Sequence, residues 1–110
     1  MKPLDLALQY MQAFFGQQPL ESMASLLAED LSFSGPWLEC STSRAYLDAL
    51  RAAPPDNARY EILERYEADN SACLIYRFWK PGVETLMAQT FEVRANKIAK
   101  IRLIFDTKTF

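Results

Sequence analysis

The chain is 110 residues long, half of them hydrophobic and 13% aromatic, which suits one globular domain spanning 1–110 and excludes a disordered segment. A formal net charge of −2 and a pI near 5.1 argue against a nucleic-acid partner, because phosphate binding needs a positive surface. No apolar run approaches the roughly 20 residues of a membrane span.

Residues 1–15 are interrupted by Asp5, Gln9 and Gln12 and make a poor secretory leader, so a cytoplasmic location is expected. Cys40 and Cys73 are the only cysteines and have no CxxC spacing, which fits two ordinary thiols in a reducing compartment better than zinc or redox chemistry. The chain contains no histidine. That removes the usual proton shuttle, the Ser-His-Asp and Cys-His nucleophile systems, and most zinc or iron sites. Acid–base work would fall to carboxylates, tyrosine, lysine or water, and no metal or cofactor is expected.

In chain order, Pro3 suits the first position of a helix, where its missing N–H is not needed. Leu4, Leu8, Met11 and Phe15, with Ala7 and Phe14, form an apolar stripe at helical spacing, and Gly16 stops the helix. A second, shorter helix is predicted from Pro19, burying Leu20, Met23, Leu26 and Leu27. Glu29-Asp30 then reads as a helix-to-strand turn. Leu31 to Gly35 alternates as a short strand ended by Gly35-Pro36, and Trp37 to Cys40 reads as a loop. Ser41, Thr42 or Ser43 caps a third helix that packs through Tyr46, Leu47 and Leu50 and ends before Pro54-Pro55. Tyr60 to Ala68 and Ala72 to Trp79 are predicted strands joined by a turn at Asp69-Asn70-Ser71. A long hairpin closes the pattern, Leu86 to Arg94 turning at Ala95-Asn96 into Lys97 to Phe105.

The order is therefore helix, helix, strand, helix, then four strands. Turns this short force antiparallel pairing among the late strands, and the helices must cover one face of a bent sheet. Such a cone leaves a cavity that the aromatics can line. In the strand Ala72 to Trp79, Leu74, Tyr76 and Phe78 share one face. Cys73, Ile75, Arg77 and Trp79 share the other.

Leu8-Gln-Tyr-Met-Gln-Ala-Phe-Phe-Gly16 and Ser25-Leu-Leu-Ala-Glu-Asp-Leu-Ser-Phe-Ser-Gly-Pro36 look like the first helices and first strand of the nuclear transport factor 2-like superfamily. Over nearly its whole length the chain resembles the SnoaL-like and ketosteroid-isomerase-like branch. The resemblance implies an α+β cone, with three helices on a strongly bent, mixed but mostly antiparallel sheet. Phe91 through Phe110, especially Ile104-Phe-Asp-Thr-Lys-Thr-Phe110, looks like the last hairpin of limonene-epoxide hydrolases.

Matched residue by residue, the catalytic sets are depleted. Tyr10 matches the isomerases' oxyanion-hole tyrosine, but Gly35 stands at the general-base aspartate and Gln89 at the protonated aspartic acid. Asp106 matches the hydrolases' last aspartate, yet Arg77 has no aspartate two residues after it. The isomerase match turns Ile101, Leu103 and Phe105 inward, whereas the hydrolase match needs Asp106 inside, and one residue flips the face of a strand.

The leading reading is thus a domain that binds a small, mostly apolar molecule with one or two polar groups, leaning away from catalysis. Its expected contacts are Tyr10, Phe33, Trp37, Tyr76, Phe78, Gln89, Phe91 and Leu103. Two alternatives stand beside it: an enzyme using Asp106 with Tyr10 or Tyr76, and a protein-interaction module. A homodimer is expected through the outer sheet face at Ile75, Trp79 and Ile104.

Overall fold

The computed structural model describes residues 1–110. Helix α1 spans Pro3–Phe14 and begins at the proline, as its fixed φ favours. Its buried face is Leu6, Ala7, Tyr10, Met11 and Ala13, while Leu4, Leu8, Phe14 and Phe15 are only partly covered. The helix is thus rotated from the predicted stripe. Both stripes have helical period, and the one carrying Tyr10 wins because that hydroxyl finds a buried partner. Gly16 follows with φ +81°, the left-handed conformation that ends a helix.

The second helix is shorter than predicted. Helix α2 covers only Glu21–Ala24, and Leu27 already opens strand β1, Leu27–Ser34. A four-residue helix gains little from propagation, whereas the backbone of Leu26 is taken by Ile98 N–H at 2.8 Å. Glu29 and Asp30 are accordingly strand residues and not a turn. They sit where the β1–β6 register jumps from Leu27↔Ile98 to Ser32↔Lys100, so β1 carries extra residues outward there. Glu39–Cys40, expected as loop, form strand β2 and fold back on Phe33 and Ser34. The turn between them closes with Gly35 N–H donating to the Leu38 carbonyl at 2.9 Å.

Helix α3, Ser43–Ala52, is capped by Thr42, whose hydroxyl accepts from Ala45 N–H at 3.1 Å, and it buries Tyr46, Leu47 and Leu50. Strands β3 (Arg59–Glu67), β4 (Ser71–Lys80), β5 (Val83–Arg94) and β6 (Lys97–Phe105) follow, with a single 3-10 turn at Thr107–Thr109. Ala95 and Asn96 both take positive φ, 52° and 62°, the geometry of a tight two-residue hairpin turn.

The sheet order is β2-β1-β6-β5-β4-β3, antiparallel except for the parallel β1–β6 pair. Helix α1 packs on β3 to β6 and α3 on β1 and β2, which makes the cone. Its inner face is built in rungs. Ala72, Phe91 and Ile101 form the deepest, then Leu74, Gln89 and Leu103, then Tyr76, Met87 and Phe105. Leu103 and Phe105 face the cavity, so the isomerase-like parity holds. No helix is long and apolar enough to cross a membrane.

Candidate functional site

The upper rungs of the sheet meet the helices only in part, Phe15 at the end of α1 reaching Tyr60 and Phe78. Between them lies a cavity of about 580 Å³, and 16 of its 23 lining residues are hydrophobic, so it favours an apolar occupant. Phe14 and Phe15 reach it from the end of α1, Leu50 and Pro54-Pro55 from the end of α3, and Phe33 from β1. Of the expected contacts, Tyr10, Phe33, Trp37, Tyr76, Phe78, Gln89 and Leu103 line it.

Phe91 does not. It is completely buried on the deepest rung, with its ring edge-on to Tyr10 at 5.3 Å, and belongs to the core beneath the cavity. Asp106 does not line the cavity either. It follows the end of β6, where its carboxylate accepts from Lys108 N–H at 2.9 Å. The β6 parity that turns Leu103 and Phe105 inward leaves Asp106 on the way out of the sheet.

The floor of the cavity is polar but uncharged. Tyr76 donates to Gln89 Oε1 at 2.7 Å, and Tyr10 and Tyr46 share a short hydroxyl–hydroxyl bond. All four side chains are at most 3% exposed. Tyr46 is the partner that sequence reasoning missed. It was visible as an apolar-face helix residue, and a tyrosine there always needs a place for its hydroxyl.

Burial raises the Tyr10 hydroxyl to about 12, opposed by hydrogen bonds from Tyr46 and Gln89. Burial pushes Tyr46 and Tyr76 upward too. All three stay neutral across the physiological range. The tyrosines and the Gln89 amide carry five donor protons in total. Links from Tyr46 to Tyr10, Tyr10 to Gln89 and Gln89 to Tyr76 use three at most, whichever way the amide is turned. At least two donors are left over. With Oε1 accepting from Tyr76, the Gln89 amide gives one proton to Tyr10 and keeps the other, and Gln89 lines the cavity.

The only side chains on the lining with formal charge are Asp56 and Lys80, both exposed at the mouth. Gly35 lines the cavity where the isomerase base would stand. No cluster of three or more His, Cys, Asp or Glu side chains is placed to hold a metal ion. The mouth is aromatic. Trp37, 63% exposed, meets Phe105 edge-on at 5.0 Å and Phe110 at 4.9 Å. Phe110, which no periodic pattern picks out, thus joins the lining.

No family model matches the chain, and no curated protein matches it in sequence. Solved structures do. A nuclear transport factor 2-like protein of unknown function from Cytophaga hutchinsonii superposes with a TM-score of 0.77 at 21% identity, covering 94% of this chain and 89% of that one. A SnoaL-like protein from Shewanella putrefaciens gives 0.80 at 18% identity, covering 94% and 79%. A limonene-epoxide-hydrolase-like epoxide hydrolase from M. tuberculosis gives 0.82 at 14% identity, covering 97% and 84%. The chain therefore has the nuclear transport factor 2-like fold, whose solved members include SnoaL-like proteins.

Proposed function

We propose that this cone of the nuclear transport factor 2-like type binds a small, neutral, mostly apolar molecule that presents a hydrogen-bond acceptor, such as a carbonyl oxygen, to the floor. The observation that carries this reading is the surplus of donors around Gln89 at the bottom of an apolar cavity. An apolar wall supplies affinity and a few placed polar groups supply orientation. A carboxylate ligand would find no cation at the floor and would lose its hydration. The enzyme alternative through Asp106 has less behind it, because that carboxylate is engaged at the end of β6 and lines no part of the cavity. Gly35 likewise offers no base.

The direct test is titration with acetyl-dimethylaminonaphthalene, a neutral naphthyl ketone whose emission shifts to the blue in an apolar site. We expect saturable binding that Gln89→Leu weakens about tenfold, the value of one hydrogen bond to the ligand. A shift that never saturates, or one untouched by Gln89→Leu, would defeat the proposal.

A homodimer through the outer sheet face belongs to the same proposal. Ile104 and Leu86 are each 55% exposed there, Ile75 and Trp79 half-buried, and Ile75, Ala88 and Ile104 lie in one cross-strand row. Arg77, paired with Glu84 at 3.4 Å and Glu61 at 3.8 Å, borders this apolar strip. Two unbridged thiols are consistent with a cytoplasmic location.

A further inference from the structure

Asp106 stands where β6 ends and the chain must leave the sheet. Its Oδ1 accepts from Lys108 N–H at 2.9 Å, and its backbone carbonyl accepts from Thr109 Oγ1 at 2.7 Å and from Thr109 N–H at 3.2 Å. The Phe110 N–H then donates to the Thr107 carbonyl at 3.2 Å. These bonds wind residues 107–109 into one tight turn that carries Phe110 back over the cavity. Its ring lies 4.9 Å from both Phe105 and Trp37 and 5.8 Å from Phe78, and the Lys80 ammonium sits 5.1 Å above it. Phe110 thereby ties β4, β6 and the β1–β2 turn together across the mouth.

We propose that residues 106–110 form a lid over the cavity mouth and that Asp106 is its positioning residue, governing how fast ligands pass and taking no part in a reaction. The proposal rests on the binding reading above. The lid is built to open alone. Asp106, Thr107, Lys108 and Thr109 are all exposed, so water can replace each of their hydrogen bonds. Only one ring then holds the segment down, while β6 keeps its ladder to β5. What the turn asks of position 106 is an acceptor for Lys108 N–H. Asparagine supplies that as well as aspartate does, and alanine does not.

Stopped-flow binding of acetyl-dimethylaminonaphthalene separates these cases, using the full chain with Trp79→Phe so that Trp37 alone fluoresces among the tryptophans. Asp106→Ala is expected to speed both uptake and release about fivefold, the worth of one lost cap, with equilibrium affinity unchanged. Asp106→Asn should behave as the parent, and Phe110→Ala should be at least as fast as Asp106→Ala. Without any dye, acrylamide quenching of Trp37 should rise in Asp106→Ala and Phe110→Ala only. Parent-like rates and quenching in Asp106→Ala overturn the lid, and so does an Asp106→Asn that behaves like Asp106→Ala. If no variant binds the dye, the binding reading fails, and Trp37 quenching still decides the lid.

Discussion

The buried Tyr76–Gln89 pair separates what the floor does for stability from what it does for a ligand. Gln89 is 2% exposed and Tyr76 3%, and they are joined at 2.7 Å. Gln89→Leu strands the Tyr76 hydroxyl in an apolar setting, which should cost about 2 kcal/mol. Tyr76→Phe removes the donor but leaves the amide oxygen open to the cavity, a smaller loss of about 1 kcal/mol. If these effects were independent the double variant would lose about 3 kcal/mol. Replacing both partners by apolar groups of similar shape removes the unmet hydrogen bonds as well, so the double variant should come back to within about 1 kcal/mol of the parent. The coupling is then about 2 kcal/mol, or roughly 8 °C in melting temperature for a chain of this size. Urea and thermal unfolding followed by circular dichroism measure it, and the naphthyl ketone titration is run on the same four proteins. Stability should return in the double variant while dye affinity stays about tenfold or more below the parent. Strictly additive losses would refute the hydrogen-bond account. A double variant that binds dye normally would refute the role of the floor.

Trp79→Lys should convert a sedimenting dimer to monomer with its unfolding cooperativity intact, whereas a parent that is already monomeric at tens of micromolar removes the dimer altogether. Stability should be level near neutral pH, decline from about pH 9 as the Cys40 and Cys73 thiols ionise first in the unfolded chain, and fall more steeply above about pH 10. An unfolded tyrosine ionises near 10, but burial holds Tyr10 to about 12 and shifts Tyr46 and Tyr76 the same way. Above pH 10 the unfolded chain sheds protons that the native state keeps, at a cost of up to ~1.4 kcal/mol per pH unit for each tyrosine. Urea midpoints that stay constant to pH 11.5 would contradict that burial, and Tyr46→Phe should soften the slope. The parent should not isomerise a steroid enone. Gly35→Asp with Gln89→Asp supplies carboxylates at both vacant positions, although a Cβ at residue 35 would stand 3.2 Å from the Phe33 ring and force it to shift. Isomerisation by the parent protein would show that the residue matching is wrong.

The sequence carried period well and depth poorly. Alternation in Leu74, Tyr76 and Phe78 marked the inner face of β4, and Ala95-Asn96 and Thr42 marked a turn and a cap, because each depends on neighbours in the chain. Strand β2 and the excursion at Glu29-Asp30 depend on partners far away, Phe33 and Ser34 for one and β6 for the other, and leave no local trace. The two competing stripes of α1 have the same period, so only their distant partners, Tyr46 on α3 and the sheet beneath, select the one with Tyr10.

Depth explains the remaining misplacements. Phe91, Gln89 and Met87 share a face of β5 and are indistinguishable by alternation, yet each step of two residues climbs about 7 Å along the strand. The lowest rung, with Phe91 and Ile101, is sealed by α1. The next, with Gln89 and Leu103, is the polar floor, and the third, with Met87 and Phe105, is wall. A residue's role in this cone is set by its height as much as by its face. Asp106 comes one residue after Phe105, beyond the last paired rung. There a carboxylate can shape the rim of the cavity, but the floor at Leu103 and Gln89 lies three residues back along β6, about 10 Å away.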